Sequence, residues 1–389
     1  MARLGDICEK VTDYVASGSF AALKENVLIT NEENYAIMVK TADFSNGFTK
    51  ALTYTDKRGY DFLKNSNLFG GELILSNIGS IGKVFKVPYL DRPMTLASNT
   101  VMIKTATPEL TDYLYYYFLS PAGYKSLLSI SSGTSMLKFN KTELKKLEIP
   151  IPDIDKQRRI IAVMDKVSNL ISLRKQQLAR LDELVKARFV EMFGGIHNSN
   201  KYPYKPIKEL TDVISGGTPN RDVNEYWECG TIPWVKTTEL QNNLIKKVDE
   251  YITEKGLNSS SAKLVPPGTV LIAMYGQGKT RGMTAYLNIE ACTNQACACI
   301  LPSDQINQTF LWKFLILSYD DLRGMAKGGN QPNLNGTIIK NYPILYPPRE
   351  LQEQFAAFVA KTDKSKVAVQ KALDEAQLLF DSLMQKYFG

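Results

Sequence analysis

A single histidine, His197, is all that the 389 residues contain, which argues against any hydrolase built on a histidine base. Five cysteines (Cys8, Cys229, Cys292, Cys297, Cys299) form no Cys-x-x-Cys pair. With so few other metal ligands of the right kind, the thiols are expected to be reduced and buried, not metal-bound. No run approaches the ~18 to 20 apolar residues of a membrane span, and no signal peptide opens the chain, so a cytoplasmic protein is expected. There is no Asn-Pro-Pro-Tyr-type methyltransferase motif, no glycine-rich cofactor fingerprint and no nuclease-like carboxylate–lysine cluster. A non-catalytic chain with no metal site and no cofactor of its own is therefore expected.

What the chain does contain is one module written twice. Residues 133–194 align with residues 328–389 at a constant offset of 195, pairing Gly133 with Gly328, Asn140 with Asn335, Pro152 with Pro347, Gln157 with Gln352 and Phe193-Gly194 with Phe388-Gly389. Upstream, Val39-Lys40-Thr41 reappears as Val235-Lys236-Thr237, Tyr54 as Tyr251, Gly71 as Gly268, Gly79 as Gly276 and Asn99 as Asn294; Ser17-Gly18-Ser19-Phe20 lines up with Gly216-Gly217-Thr218-Pro219. Such a period is too long for the stacking units of solenoids, so each copy should hold its own core. The skeleton repeats while the residues between its landmarks diverge, which predicts two similar lobes with different ligand preferences.

From Gln157 to about Met192 there is no glycine or proline, and apolar residues recur at spacings of three and four: Ile160, Val163, Val167, Leu170, Leu178, Leu181, Leu184. Phe355, Phe358, Thr362, Val369, Leu373, Ala376, Leu379 and Leu383 repeat the pattern. These predict long helices, each ~55 Å, with a coiled-coil-like seam. Each follows a proline stop and ends at Phe-Gly, where glycine supplies a left-handed cap. Antiparallel packing would place the lobes at opposite ends; the alternative is that each helix folds back on its own lobe. The segmentation is a first lobe at 1–150, a helix at 151–195, a second lobe at 196–347 and a helix at 348–389. The lobes mix short strands (72–75, 84–87, 269–273, 296–301) with amphipathic helices (111–119, 308–317), giving a mixed α/β tandem duplication.

Net charge is +7, unevenly spread. Residues 156–192 hold nine Lys or Arg against four acids, whereas residues 351–388 balance five against five. The cationic helix suits a polyanion nearby, or is simply a solvated face.

Ala273-Met274-Tyr275-Gly276-Gln277-Gly278-Lys279-Thr280 follows a strand and ends like a phosphate-binding P-loop. A working P-loop needs a helix starting at once; here Gly282 follows and the next residues read as extended. A glycine-rich hairpin carrying Tyr275, Gln277, Lys279, Thr280 and Arg281 suits DNA phosphates better. The corresponding hairpin of the first copy offers Asn77, Ser80 and Lys83. Asn99, Asn294 and Gln295 are amides able to pair bidentately with adenine. Ser135 corresponds in position to Asn330 and Gln331, just before each lobe ends, and Lys40, Thr41, Lys236 and Thr237 complete the candidates. Taken singly, each such residue is more often part of a turn or a satisfied core amide.

In their order, twice over, these marks resemble the specificity (S) subunit of type I restriction–modification enzymes, and the resemblance covers essentially the whole chain. It is carried by Ser215-Gly216-Gly217-Thr218-Pro219, Ile232-Pro233-Trp234-Val235-Lys236-Thr237, Val265-Pro266-Pro267-Gly268-Thr269-Val270-Leu271, Asn294-Gln295-Ala296, the helix entry from Pro347-Pro348 to Glu353-Gln354, and Arg188-Phe189-Val190-Glu191-Met192-Phe193-Gly194. The first copy departs from the pattern: Ser17-Gly18-Ser19-Phe20 lacks the proline, and Asp153-Ile154-Asp155-Lys156-Gln157 lacks Pro-Pro.

The resemblance implies two target-recognition domains reading the halves of a split, asymmetric double-stranded DNA site. It implies an antiparallel helical spacer that docks two adenine-N6 methyltransferase (M) subunits, with ATP-dependent restriction (R) subunits outside. S-adenosylmethionine, ATP and Mg are then expected on the partners, and no membrane is involved. Phosphate contacts would come from Lys40, Lys83, Lys236, Lys279 and Arg281, with base readout from Asn, Gln, Ser and Thr of the same loops. The competing classes are a nucleotide-binding ATPase using residues 273–280 and a duplicated protein-binding adaptor.

Overall fold

The runs 73–75 and Val270–Ala273 are apolar at successive positions, and a strand of that kind needs cover on both faces. Both have it in the computed structural model, which describes residues 1–79, 81–134, 136–197, 200–276, 278–326 and 333–389. The chain forms two compact units, one of Met1–Lys175 with Lys371–Gly389 and one of Gln176–Gln370.

In the first unit, strands Cys8–Asp13, Thr100–Thr105, Leu73–Ser76 and Val84–Lys86 form an antiparallel sheet in that order. Leu73, Leu75, Val101 and Ile103 pack on Tyr113, Leu114, Tyr117 and Phe118 of the helix Pro108–Leu119. Ile74 and Met102, one position out of phase, pack instead on Ile37, Val39, Met94 and Leu96 of a second sheet. That sheet runs Tyr54–Thr55, Ala36–Val39, Met94–Leu96, Asn67–Leu68, with its central pair parallel.

The second unit repeats the plan. Strands Val213–Ser215, Cys297–Ile300, Val270–Ala273, Thr284–Leu287 and Asn243–Ile245 form one sheet. Val270, Ile272, Ala298 and Ile300 face Phe310 and Phe314 of the helix Gln308–Leu317, while Leu271, Ala273, Cys297 and Cys299 face the opposite cluster. A smaller sheet joins Glu250–Ile252, Ile232–Val235 and Cys292–Thr293. Gly71 and Gly268 open the equivalent strands at φ +86° and +88°, a turn that only glycine makes without strain.

The periodic segments are continuous helices, Ile154–Phe193 and Arg349–Phe388, of 40 residues each. Each gives half its length to either unit. In the first unit Ile160, Ile161 and Met164 share a core with Met384 and Phe388, and further along Val167 and Ile171 meet Ala376. In the second unit Phe189 lies 5.5 Å from Phe355, and Asp182 pairs with Lys366. Within each unit the two half-helices therefore run antiparallel, and each also packs on the adjoining lobe. Gly194, at φ +84°, caps the first helix through its N–H to the Val190 carbonyl at 2.7 Å. At the other end Asp153 stands where the second copy has Pro348, and its Oδ1 accepts from Lys156 N at 2.8 Å. A side-chain cap thus replaces the proline entry. Among the described residues no helix is long and apolar enough to cross a membrane.

The cysteines correct one expectation. Cys292, Cys297 and Cys299 are buried, but Cys8 is only half-buried and Cys229 is exposed. Cys229 sits at φ +58° in the turn between Trp227 and the strand beginning at Ile232, where no core reaches it.

Candidate nucleic-acid interface

Where the central strand of each lobe ends, three loops are stitched together by main-chain hydrogen bonds. In the first unit Asn77 N donates to the Asn99 carbonyl at 3.3 Å, and Phe139 N donates to the Asn77 carbonyl at 3.1 Å. In the second, Met274 N donates to the Ala296 carbonyl at 2.8 Å, and Leu334 N to the Met274 carbonyl at 3.0 Å. The residue after each third loop caps a short helix: Asn140 Oδ1 accepts from Thr142 N and Glu143 N at 2.9 Å, and Asn335 Oδ1 accepts from Ile338 N at 2.9 Å. The repeated amides thus serve structure at Asn140 and Asn335, while the loops between them present side chains to solvent.

The first unit opens here into a cavity of about 510 Å³, with Tyr14, Phe20, Asn77, Asn99, Ser132 and Asn140 on its walls. Asn99 is exposed at φ +68°, a conformation that asparagine tolerates better than most residues. Asn77 is buried; its Nδ2 donates to the Phe139 carbonyl at 3.1 Å, and its Oδ1 has no partner among the described residues. Phe20 is 78% exposed at the rim. It opens the short helix Phe20–Asn26 and was not singled out from sequence, because an apolar residue in a helix's first turn gives no sequence signal of exposure. Lys40, Thr41 and Lys83 stand outside the cavity lining; Lys40 and Lys83 are exposed, and the Lys40 ammonium donates to the Thr53 hydroxyl. Ser80 and Ser135 lie outside the described residues.

In the second unit the glycine-rich hairpin settles the P-loop question. Its carbonyls are already held: Gly278 O accepts from Arg323 Nη2 at 2.9 Å, Lys279 O from the Tyr319 hydroxyl at 2.7 Å, and Arg281 O from Arg323 Nη1 at 2.8 Å. The chain then enters the strand Thr284–Leu287. Among the described residues no helix begins where the loop ends, so the dipole and N–H cradle that a P-loop sets against a nucleotide phosphate are missing there. Tyr275 and Lys279 are exposed, and Thr280 and Arg281 half-exposed. Gln277, Asn330 and Gln331 lie outside the described residues.

Asn294 and Gln295 adjoin the loop carrying Lys236 and Thr237, since Asn294 N donates to the Val235 carbonyl at 3.1 Å. Asn294 Oδ1 accepts from Ala296 N at 3.2 Å and so is partly spent on its own turn. Gln295 is exposed and receives the Thr218 hydroxyl. Lys236 differs from its counterpart Lys40: its ammonium binds the Glu250 carboxylate at 2.8 Å, which raises its pKa. Glu250 also receives Arg221 at 2.6 Å. Burial opposes ionisation of that carboxylate, but the hydrogen bonds from Lys236 and Arg221 outweigh it and leave its pKa below the ordinary value. Sequence reading assigned Lys236 a phosphate contact; its Glu250 partner lies across the sheet and is invisible in local sequence. The cationic helix is also partly neutralised, with Arg158 bound to Glu109 at 3.0 Å and Arg188 to Glu191 at 2.8 Å.

With this geometry in hand, comparison with known proteins is direct. The type I restriction modification DNA specificity domain matches residues 1–183 and again 200–376. The chain is 24% identical over 235 residues to the Escherichia coli EcoR124I/EcoR124II specificity subunit, covering 56% of this chain and 56% of that protein, little more than half its length. It is 23% identical over 382 residues to the MjaVIII specificity subunit of Methanocaldococcus jannaschii, covering 90% and 86%. Among solved structures, the S subunit of a type I restriction–modification system from M. genitalium has 16% identity and a TM-score of 0.54, covering 100% of this chain and 95% of that one. A chain from a structure of type I R-M complex assembly and conformational transition has 18% identity and a TM-score of 0.56, covering 100% and 96%. At such identities the structural likeness establishes fold; the two successive domain matches, which together span most of the sequence, establish that this chain belongs to the type I restriction–modification DNA specificity family.

Proposed function

We propose that the chain is the DNA-reading subunit of a type I restriction–modification enzyme, each lobe reading one half of a bipartite site. The observation that carries this is the twice-built loop cluster, Asn77–Asn99–Phe139 and Met274–Ala296–Leu334. It combines a shared main-chain frame with different exposed side chains. A shared frame with divergent residues suits two readers of unlike sequence, and so an asymmetric site, whereas identical lobes would demand a palindrome. Exposed Lys40, Lys83 and Lys279 supply sequence-independent affinity, and Asn99 and Gln295 offer groups for base edges.

In this reading the chain is non-catalytic and carries no cofactor of its own. Adenine-N6 methyltransferase subunits bring S-adenosylmethionine, restriction subunits bring ATP and Mg, and all act in the cytoplasm. The continuous helices, each ~60 Å at 1.5 Å per residue, set the number of unread base pairs between half-sites. They also carry exposed leucines on which the methyltransferase subunits dock. Genome-wide mapping of N6-methyladenine with and without the chain tests the whole reading. A two-part motif that vanishes with the chain supports it; unchanged methylation, or no DNA binding with methyltransferase present, rejects it.

A further inference from the structure

Arg221 was not among the residues singled out from sequence, yet on the second lobe its guanidinium is held by two tryptophan rings and a carboxylate. It follows the loop Gly216–Asn220, which is pinned at several points. Gly217 N donates to the Thr293 carbonyl at 2.8 Å, Trp234 Nε1 donates to the Gly217 carbonyl at 3.0 Å, and Trp227 Nε1 donates to the Asn220 carbonyl at 3.0 Å. A Cβ on Gly216 would meet Thr293 Oγ1 at 2.1 Å, so the approach admits no larger residue. The Arg221 guanidinium lies 3.7 Å from the Trp227 ring centroid and 4.7 Å from that of Trp234. Its Nη1 donates to Glu250 Oε2 at 2.6 Å. The rest of its fork has no acceptor among the described residues, and the side chain is 49% exposed.

Two uses are open to a cation so placed, and the way it is held separates them. A phosphate contact profits from charge alone, and Glu250, shared by Arg221 and Lys236, leaves a single net positive charge on the three groups. Bidentate recognition of a base edge profits from a fixed guanidinium plane, which stacking and a carboxylate on one edge provide while leaving other donors free. The first lobe gives the contrast. Ile37 pairs with Tyr54 and Pro233 with Tyr251, so Thr53 and Glu250 hold equivalent positions beside Lys40 and Lys236. There the lysine rests on a neutral hydroxyl, and Ala22 occupies the position aligned with Arg221. The first lobe's ring-stacked, carboxylate-bound arginine is instead Arg92, on Tyr54 and Glu33, so the two lobes place such a group differently, as expected of determinants that distinguish two half-sites.

We propose that Arg221 reads a guanine through its O6 and N7 acceptors, pre-oriented by Glu250 and the Trp227 ring. This rests on the DNA-reading function above. The test maps methylation by the complete methyltransferase complex carrying the wild-type chain, Arg221→Lys, Arg221→Ala or Glu250→Gln. The wild-type motif is expected to require guanine at one position of one half-site. Arg221→Lys and Arg221→Ala should each lower discrimination at that position by about ten- to a hundred-fold, leaving the other half-site unchanged, and Glu250→Gln should relax the same position less. The proposal is overturned if the wild-type motif contains no required guanine, or if both arginine variants keep every preference. It is also overturned if they weaken methylation evenly at all positions, as a phosphate contact or a purely structural residue would. Wild-type methylation with no motif at all would instead sink the DNA-reading function itself.

Discussion

Gln157 and Gln352, one repeat apart, make the same hydrogen bond: each donates Nε2 to the carbonyl five residues earlier, Pro152 and Pro347, at 2.8 Å. Both side chains are buried, and each fixes the angle at which a long helix leaves its entry turn. Their oxygens differ. Gln352 Oε1 accepts from Asn307 N at 2.9 Å, whereas Gln157 Oε1 is buried without a partner among the described residues. A buried group left unpaired costs about 1–3 kcal/mol. Gln352→Ala strands a donor and an acceptor, while Gln157→Ala strands one acceptor and removes an unsatisfied oxygen. Thermal unfolding should therefore show the larger loss for Gln352→Ala, and equal shifts would count against this difference in role.

Lys279 projects from a hairpin whose main chain is clamped by Tyr319 and Arg323, so its side chain can be removed without releasing the loop. Lys279→Ala should weaken DNA binding to all sequences alike and reduce the slope of log K against log salt by about one. Binding isotherms over a salt series check this; a loss confined to one base position would show that Lys279 reads sequence instead.

Architecture was far more legible than the site. The absence of glycine and proline over 157–192 exposed the helices, because a 3.6-residue period is a local property. Gln308–Leu317 was readable for the same reason, and the strand Leu73–Ser76 because a short apolar run is equally local. The site depends on partners distant in sequence. Lys40 and Lys236 sit in matching Val-Lys-Thr triplets, but only the sheet register reveals that one ammonium faces Thr53 and the other Glu250. Arg221 looks like any loop arginine until Trp227 and Trp234 are folded around it. Conversely, the Gly-Lys-Thr run was a local resemblance that the following strand annuls.

Tyr113 makes the first unit sensitive to alkali. Its hydroxyl donates to the Pro150 carbonyl at 2.7 Å, and burial pushes its pKa up to about 12, against about 10 in an unfolded chain. Below pH 10 both states keep the proton, and its contribution is constant. Between about pH 10 and 12 the unfolded chain releases the proton while the folded one holds it, so stability falls as pH rises. Tyr113→Phe should flatten that part of the decline in denaturant unfolding measured from pH 8 to 11.5. An unchanged slope would mean that Tyr113 does not contribute to it.

Leu184 and Leu379 are repeat equivalents on the two long helices, and each is about half exposed, at 49% and 48%. Neither contributes to the buried seams, where Phe189 and Phe193 in one unit and Met384 and Phe388 in the other do the packing. A leucine kept exposed at the same place in both copies suits an apolar partner surface, and the duplication implies two equal docking sites. A glutamate at either position would bury an unpaired charge on docking while leaving the free chain folded. Mixed with methyltransferase subunits, Leu184→Glu or Leu379→Glu alone should retain one subunit per chain and the double variant none, as read by native mass spectrometry. Two subunits retained by the double variant would place the docking surface on another face of the helices.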